Sequence, residues 1–277
     1  MIVRRYGMAR WVRLVAIAVV LVVMLFPVYW MFITAITPTK ELLQYPVPLF
    51  PASVDWSAFN RVLFEQSLLE WLKNSAFLTI ASTIITLLVS VPAAYGLSRF
   101  KSKASSATGF LLLLTKMIPS TLFLIPLYVI FQGVGLVDTL ASLVIAYTVF
   151  GVPFATWMLM GYFDSIPPQL EEAAQVDGCG QFGAFMRVTL PLAAPGVAAT
   201  VLASAVLAWS DYDFARGLIT SSSKWPVTVG IQSFFGEHVV HWNDVMASSL
   251  LSVLPVAVLF MFVGKYMIAG LTSGAVK

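Results

Sequence analysis

Long apolar stretches alternate with short polar segments along this chain, and their lengths predict helices that cross a membrane. A helix needs about 20 mostly apolar residues to span roughly 30 Å of hydrocarbon. Six stretches reach that length, at residues 14–36, 75–97, 109–131, 137–160, 195–215 and 246–268. The pattern therefore predicts an all-α, polytopic membrane protein with six transmembrane helices, which form a single transmembrane domain over residues 1–277.

The composition points to the same class of protein. Of the 277 residues, 59% are hydrophobic and 10% are charged, whereas about 25% of the residues are charged in a typical soluble domain. A domain of this length cannot bury so much apolar surface in its own interior, so we expect a lipid bilayer to cover it. The single cysteine, Cys179, excludes an intrachain disulfide. We predict no catalytic residue, metal site or cofactor on this chain.

The basic residues predict the orientation of the spans. With the N-terminus inside, ten Lys and Arg residues fall inside and five outside, which follows the positive-inside rule. The inside set is Arg4, Arg5, Arg10, Arg13, Arg99, Lys101, Lys103, Arg187, Lys265 and Lys277, and the outside set is Lys40, Arg61, Lys73, Arg216 and Lys224. Both termini are therefore predicted to be cytoplasmic. The first apolar run is too long for the core of a cleaved signal peptide, so we expect it to be retained as a span.

A polar segment lies between the fourth and fifth predicted spans, at residues 164–195, and is called the central segment here. Its pattern predicts two short helices joined by a hinge. Ser165 is a candidate N-cap of the first helix, and Gly178 and Gly180 end that helix. The second helix is expected to stop before Pro191, because the residue ahead of a proline avoids helical geometry. Helices of about ten residues are marginal alone in water, so we expect a partner protein or the membrane face to support them.

The central segment carries a motif with fixed spacing. Glu172-Ala173-Ala174 is followed by three residues, Gly178, nine residues and then Val188-Thr189-Leu190-Pro191. This arrangement resembles the EAA loop of ATP-binding-cassette importer permeases, whose pattern is EAA-x3-G-x9-I-x-LP. The only departure is valine in place of isoleucine.

Further stretches resemble one branch of that family, the sugar importers of the maltose type. They are AAYGLSRF at 93–100, MIPS at 117–120, WSDY at 209–212 and GLTSGAVK at 270–277. In the third of these, the family more often has Asn at the position of Ser210. The matching stretches are distributed over nearly the whole chain, and the closest resemblance is to the six-span permease of a two-permease importer.

The resemblance implies a binding-protein-dependent, ATP-driven importer in a bacterial or archaeal cytoplasmic membrane. This chain would form the translocation pathway with a second permease. Two cytoplasmic ATP-binding subunits would hold the ATP and Mg, and an extracytoplasmic sugar-binding protein would deliver a di- or oligosaccharide of the trehalose or maltose type. Nucleic acid is not an expected partner. The chain has no GxxxxGK[ST] loop to cradle nucleotide phosphates, which agrees with a non-catalytic subunit.

The resemblance also assigns roles within the central segment, which would be the cytoplasmic coupling-helix loop. Glu172 would make a polar contact with an ATPase subunit, the two alanines after it would permit a close fit, and Gly178 would allow the turn. The last two residues of the motif would seat the second helix against the membrane domain. The predicted coupling residues are Glu171, Glu172, Ala173, Ala174, Asp177, Gly178, Leu190 and Pro191.

Candidate residues for the translocation path come from polar and aromatic side chains inside the predicted spans. They are Lys116, Tyr128, Gln132, Tyr147 and Trp157. A charge within a span often faces a cavity or a partner, although a lysine near the end of a span also reaches the membrane interface. For the aromatic residues, ordinary helix packing is the competing interpretation.

Two other functions compete with sugar import. One is an importer permease of the same superfamily for a solute that is not a sugar. The other is a secondary transporter driven by an ion gradient, which would be expected to carry carboxylates inside its spans and an internal repeat. We find no carboxylate deep in a predicted span and no clear repeat, so the sequence favours the ATP-driven importer.

Overall fold

The computed structural model describes residues 3–45, 49–236 and 240–273. Over these residues the chain is almost entirely helical, with an isolated β-bridge between Phe235 and Val240. The longer α-helices are α1 (Val3–Ile36), α4 (Leu68–Arg99), α5 (Lys103–Leu114), α6 (Leu124–Gly133), α7 (Leu140–Asp164), α8 (Gln169–Val176), α11 (Ala194–Trp209) and α14 (Trp242–Ser273). The shorter ones are α2 (Thr39–Leu42), α3 (Ser57–Asn60), α9 (Gln181–Ala184), α10 (Leu190–Leu192), α12 (Asp213–Leu218) and α13 (Val227–Gln232).

Among the described residues, four helical stretches are long and apolar enough to cross a membrane. They are Arg10–Ile36, Leu68–Arg99, Leu140–Asp164 and Trp242–Gly264. A fifth candidate is the pair Gln181–Leu192 and Ala194–Trp209, which bends by 72° at a short break. These stretches overlap the first, second, fourth, fifth and sixth predicted spans, so the all-α membrane fold is confirmed.

The third predicted span is interrupted. Instead of one helix over 109–131, α5 ends at Leu114, a 3-10 turn occupies Ser120–Phe123, and α6 follows. The break contains Pro119, which disfavours helical geometry in the residue before it. The prediction of one continuous helix here is therefore wrong, although the two short apolar helices remain compatible with a six-span protein.

Contacts within the chain divide it into two compact units. The first comprises residues 1–68 and 231–254, and the second comprises residues 69–230 and 255–277. In the first unit, the amide of Asn243 donates to the carbonyls of Thr34 and Thr37 at 2.9 and 2.6 Å. Carbonyls at the end of a helix have no partner in the helix itself, so Asn243 completes the end of α1. The prediction of a single domain over residues 1–277 stays a prediction.

The second unit contains the central segment and two buried hydrophobic clusters. One cluster joins residues of α4, α6, α7 and α12, including Leu78, Phe131, Leu143 and Phe214. The other includes Ala94, Leu159, Phe163, Ile166 and Phe185, and it packs the ends of α4 and α7 against the central segment. This second cluster gives the short helices of the central segment the support that they lack in isolation.

Candidate coupling and translocation sites

The first helix of the central segment, α8, ends in a glycine turn. Gly178 has a φ of +92°, a left-handed conformation that costs most other residues about 1–2 kcal/mol. The N–H groups of Gly178 and Cys179 donate to the carbonyls of Gln175 and Ala174, both at 3.0 Å. These two bonds form a Schellman motif, which satisfies carbonyls at the helix end. The turn predicted at Gly178 is confirmed, whereas Gly180 has a φ of −69° and does not need to be glycine.

The start of α8 differs from the prediction. Ser165 follows the last residue of α7, and its hydroxyl donates to the Tyr162 carbonyl at 2.6 Å. The helix α8 begins only at Gln169, where the Pro168 carbonyl accepts the N–H of Glu171 at 2.9 Å. The proposed N-cap at Ser165 is therefore wrong, because the two prolines that follow it delay the helix by a few residues.

Glu171 and Glu172 are adjacent in α8 and lie in opposite environments. Glu171 is only 5% exposed, and its oxygens accept from the Thr189 hydroxyl at 2.6 Å, Arg99 Nε at 2.7 Å and the Tyr95 hydroxyl at 2.8 Å. Glu172 is exposed. The sequence placed both carboxylates in one coupling set. The Glu171 oxygens are occupied within the chain, and the coupling roles of both carboxylates stay predictions.

Arg99 links the ends of three helices. Besides its ion pair with Glu171 at 2.7 Å, it donates to the carbonyls of Phe163 and Ile166 at 3.0 and 3.3 Å. These carbonyls lie at and just beyond the C-terminal end of α7, where a cation is favourable. Burial by itself would raise the pKa of Glu171, but the hydrogen bonds from its three side-chain partners lower that pKa below its usual value. The ion pair therefore persists at neutral pH.

In the second half of the central segment, the helix continues through Pro191. A π-helical turn over Phe185–Thr189 leads directly into α10, which contains Leu190 and Pro191. The prediction that this helix stops before Pro191 is wrong. A π turn is wider than an α turn, which leaves room for the proline ring, and the chain then bends by 72° into α11.

One side of the central segment is exposed and combines apolar with acidic residues. Val176 is 88% exposed and Phe182 is 75% exposed. Of the predicted coupling residues, Glu172, Ala173, Asp177, Gly178 and Pro191 are exposed, while Ala174 and Leu190 are half-buried. An apolar surface with acidic residues beside it is suited to contact with another protein.

A polar cavity of about 480 Å³ lies in the second unit, beside the break in the third predicted span. The break contributes Lys116, whose ammonium donates to the Phe150 carbonyl of α7. One turn before Phe150 on α7, the Tyr147 hydroxyl donates to the Asp211 carboxylate at 2.8 Å, and both of these residues line the cavity. Non-helical backbone at membrane depth is tolerated where it is buried or lines a cavity, which explains why the span is interrupted there.

The cavity contains some of the predicted translocation-path residues and not others. Lys116 and Tyr147 line it. Tyr128 packs instead against a hydrophobic cluster, while Gln132 and Trp157 are exposed and do not line the cavity. These three residues do not contribute to the cavity wall, and their place in the translocation path stays a prediction.

Sequence reasoning missed the hydroxyl residues and Asp211 in the cavity wall. The second predicted span carries Thr79, Thr83, Thr86 and Ser90 at intervals of four, three and four residues. Residues at these intervals share one side of a helix. All four are buried, and Thr83 and Thr86 line the cavity. This polar stripe on an apolar helix is the signal that identifies the inward-facing side of α4.

Buried polar residues, a broken span and several membrane-length helices define an integral membrane protein with an open cavity that polar and apolar residues line together. The family described as binding-protein-dependent transport system inner membrane component matches residues 86–272. The chain belongs to this family, and it is a multi-pass permease subunit of an ATP-binding-cassette transporter.

Individual relatives cover nearly the whole chain. It is 33% identical to the sulfoquinovosyl glycerol transport system permease protein SmoH of Agrobacterium fabrum, over 96% of this chain and 93% of that protein. It is 30% identical to the trehalose/maltose transport system permease protein MalG of Thermococcus litoralis, with 92% of each chain covered. A crystal structure of a bacterial ABC transporter for import of the acidic polysaccharide alginate contains a similar chain, with a TM-score of 0.78, 26% identity, and coverage of 95% of this chain and 96% of that one.

Proposed function

We propose that this protein is the permease of a sugar importer in which a second permease, two cytoplasmic ATPase subunits and an extracytoplasmic binding protein complete the complex. The relatives named above carry sugars as different as trehalose or maltose and alginate. They support a saccharide substrate, and for this chain we infer a di- or oligosaccharide. Both termini and the central segment are assigned to the cytoplasmic side, on the basis of the distribution of basic residues.

The exposed side of the central segment supports the proposed coupling function. Glu172 and Asp177 have no intramolecular ion pair among the described residues, and Val176 and Phe182 are exposed beside them. We assign this side to the ATPase contact. The closing motion of the ATPase subunits would reach α4 and α7 through Glu171 and Arg99, because Arg99 of α4 joins Glu171 of α8 to the carbonyls at the end of α7 and such networks carry coupling between sites.

Reversal of the charge at Glu172 tests this function. Glu172→Lys is expected to abolish sugar uptake by proteoliposomes that hold the complete complex, because the polar contact with the ATPase subunit is lost. The variant should still insert and unfold at the wild-type temperature, since the side chain is exposed. Glu172→Asp, which keeps the charge, serves as the matched control and should retain a measurable part of the uptake. Normal uptake by Glu172→Lys would contradict the assignment.

The energy source distinguishes this proposal from an ion-coupled transporter. Uptake should stop when ATP is omitted from the proteoliposomes and should persist when ionophores collapse the ion gradients. Uptake that follows the ion gradient in the absence of ATP would favour the secondary transporter instead.

A further inference from the structure

Two hydroxyl groups in the wall of the cavity are buried without a partner. Thr83 of α4 is 6% exposed and Ser204 of α11 is 7% exposed. Neither hydroxyl has a hydrogen-bond partner among the described residues, and both residues line the cavity. An unpaired buried hydroxyl costs about 1–3 kcal/mol, so such groups are uncommon and call for an explanation.

Helix geometry does not by itself explain these unpaired hydroxyls. Thr200 lies one turn before Ser204 on the same helix, and its hydroxyl donates to the Gly196 carbonyl at 2.8 Å. On α4, the Ser82 hydroxyl donates in the same way to the Leu78 carbonyl at 2.7 Å. Ser82 and Thr200 therefore find a partner within their own helices, whereas Thr79 of α4 is also unpaired and lies outside the wall of this cavity. Among the unpaired hydroxyls of the described residues, those of Thr83 and Ser204 belong to residues that line the cavity.

The charged residues of the cavity add stronger donors and acceptors. An ammonium has three donors, and Lys116 uses one on the Phe150 carbonyl. No carboxylate among the described residues forms an ion pair with Lys116. Asp211 accepts from the Tyr147 hydroxyl and, at 3.1 Å, from the Ala215 N–H, which occupies part of the capacity of a carboxylate.

We propose that this cavity is a saccharide-binding subsite on this chain, in which Thr83, Ser204, Lys116 and Asp211 bind the hydroxyl groups of a neutral sugar. This inference rests on the proposed function of sugar import. A sugar hydroxyl both donates and accepts a hydrogen bond, which matches a wall that offers hydroxyls, an ammonium and a carboxylate. The volume of about 480 Å³ lies within the range of roughly 300–1,000 Å³ that small-molecule sites occupy.

The charge of the wall selects a neutral sugar over an acidic one. Two carboxylates, Asp211 and Asp213, line the cavity together with one ammonium, Lys116. A carboxylated sugar would bring a third negative charge close to two others in a site partly removed from water, where electrostatic repulsion is stronger. A neutral sugar does not incur this repulsion.

Removal of the unpaired hydroxyls tests the subsite. Thr83→Val and Ser204→Ala are each expected to lower uptake of a neutral disaccharide, at a fixed subsaturating concentration, about three- to tenfold, which corresponds to one lost hydrogen bond. Maltose and trehalose are the probes, and the complete complex is purified through a tag on this chain and reconstituted. Thr200→Val is the matched control, because its hydroxyl bonds within its own helix and lies outside the cavity wall. ATP hydrolysis in the absence of sugar should be the same in the Thr200→Val control as in the wild type.

Protection from a thiol reagent locates the sugar directly. Cys179 is the only cysteine, so Ser204→Cys in a Cys179→Ser background places one thiol in the cavity, and the uptake of that background is measured in parallel. The transported neutral disaccharide should slow modification of this thiol by a small water-soluble reagent, and a sugar that is not transported should not. In the same background, the thiol of Thr200→Cys should react at a rate that the sugar does not change.

The outcomes separate the subsite from sugar import in general. If the wild type takes up maltose or trehalose in preference to digalacturonic acid, and the cavity variants and the protection behave as expected, the subsite is supported. If the wild type takes up a neutral sugar but Thr83→Val, Ser204→Ala and thiol protection show no effect, the subsite is refuted and sugar import stands. Preferred uptake of digalacturonic acid refutes the claim that the subsite prefers a neutral sugar. If the wild type takes up neither kind of sugar, both sugar import and the subsite are contradicted.

Discussion

The central segment and the cavity both contain buried polar groups, but the two regions differ in whether these groups have hydrogen-bond partners. In the central segment, the carboxylate of Glu171 accepts hydrogen bonds from three side chains. In the cavity, the hydroxyls of Thr83 and Ser204 have no partner among the described residues. Removal of these groups from water costs free energy in both regions. Only in the central segment do hydrogen bonds within the chain offset that cost.

This difference separates residues that hold the fold from residues that remain available to a ligand. Glu171 and Arg99 have fixed partners on several helices, so we expect their loss to lower stability first. The Ser204 hydroxyl contributes little to stability, so we expect its removal to lower substrate uptake while the unfolding temperature stays unchanged. A variant at Glu171 should therefore lower the unfolding temperature. A variant at Ser204 should lower uptake and keep the unfolding temperature of the wild type.

The largest expected effect is the loss of the Glu171 carboxylate. Glu171→Ala removes the ion-pair partner of the Arg99 guanidinium, and the removal of one partner of a buried ion pair typically lowers the free energy of unfolding by about 3–5 kcal/mol. Thermal unfolding of the purified complex measures this change. Glu172→Ala is the control on the neighbouring, exposed side chain and should change the free energy of unfolding by less than about 0.5 kcal/mol. Equal effects of the two substitutions would remove the distinction between the two carboxylates.

An intermediate effect is expected at the turn of α8. Gly178→Ala places a side chain on a residue with a φ of +92° and should lower the free energy of unfolding by about 1–2 kcal/mol. A Cβ at this position meets no atom within 4 Å, so backbone strain is the only source of the effect. Gly180→Ala is the matched control, because it is equally open and has a φ of −69°. A Gly180→Ala variant as destabilised as Gly178→Ala would show that the glycine turn is not the cause.

The smallest effect on stability is expected in the cavity. Ser204→Ala removes a hydroxyl that has no partner, so the free energy of unfolding should stay within about 0.5 kcal/mol of the wild type or rise slightly. The same unfolding measurement on the complex without sugar checks this. A drop of more than about 1 kcal/mol would indicate a structural hydrogen bond at Ser204 and would weaken the interpretation of the cavity as a ligand site.

The sequence predicted the parts of the structure that depend on local patterns. Apolar runs placed most of the spans, and the motif around Gly178 located the turn. Contacts between distant segments were not predictable, since Arg99 and Glu171 are 72 positions apart and no local pattern pairs them. The break around Pro119 was missed because the stretch that contains Lys116 is apolar enough, by hydropathy alone, to be predicted as one continuous span. The π turn before Pro191 was missed because a proline ordinarily ends a helix.

The central claim is that Glu171, whose carboxylate has three partners, holds the fold, and that Thr83 and Ser204, whose hydroxyls have none among the described residues, face the substrate. Its most direct test is a paired measurement of unfolding temperature and sugar uptake on Glu171→Gln and Ser204→Ala in the reconstituted complex. Both substitutions are small and change one polar group each. We predict that Glu171→Gln lowers the unfolding temperature, and that Ser204→Ala keeps the wild-type temperature while uptake falls about three- to tenfold. The claim would be contradicted if Ser204→Ala lost stability as Glu171→Gln does, or if it took up sugar at the wild-type rate.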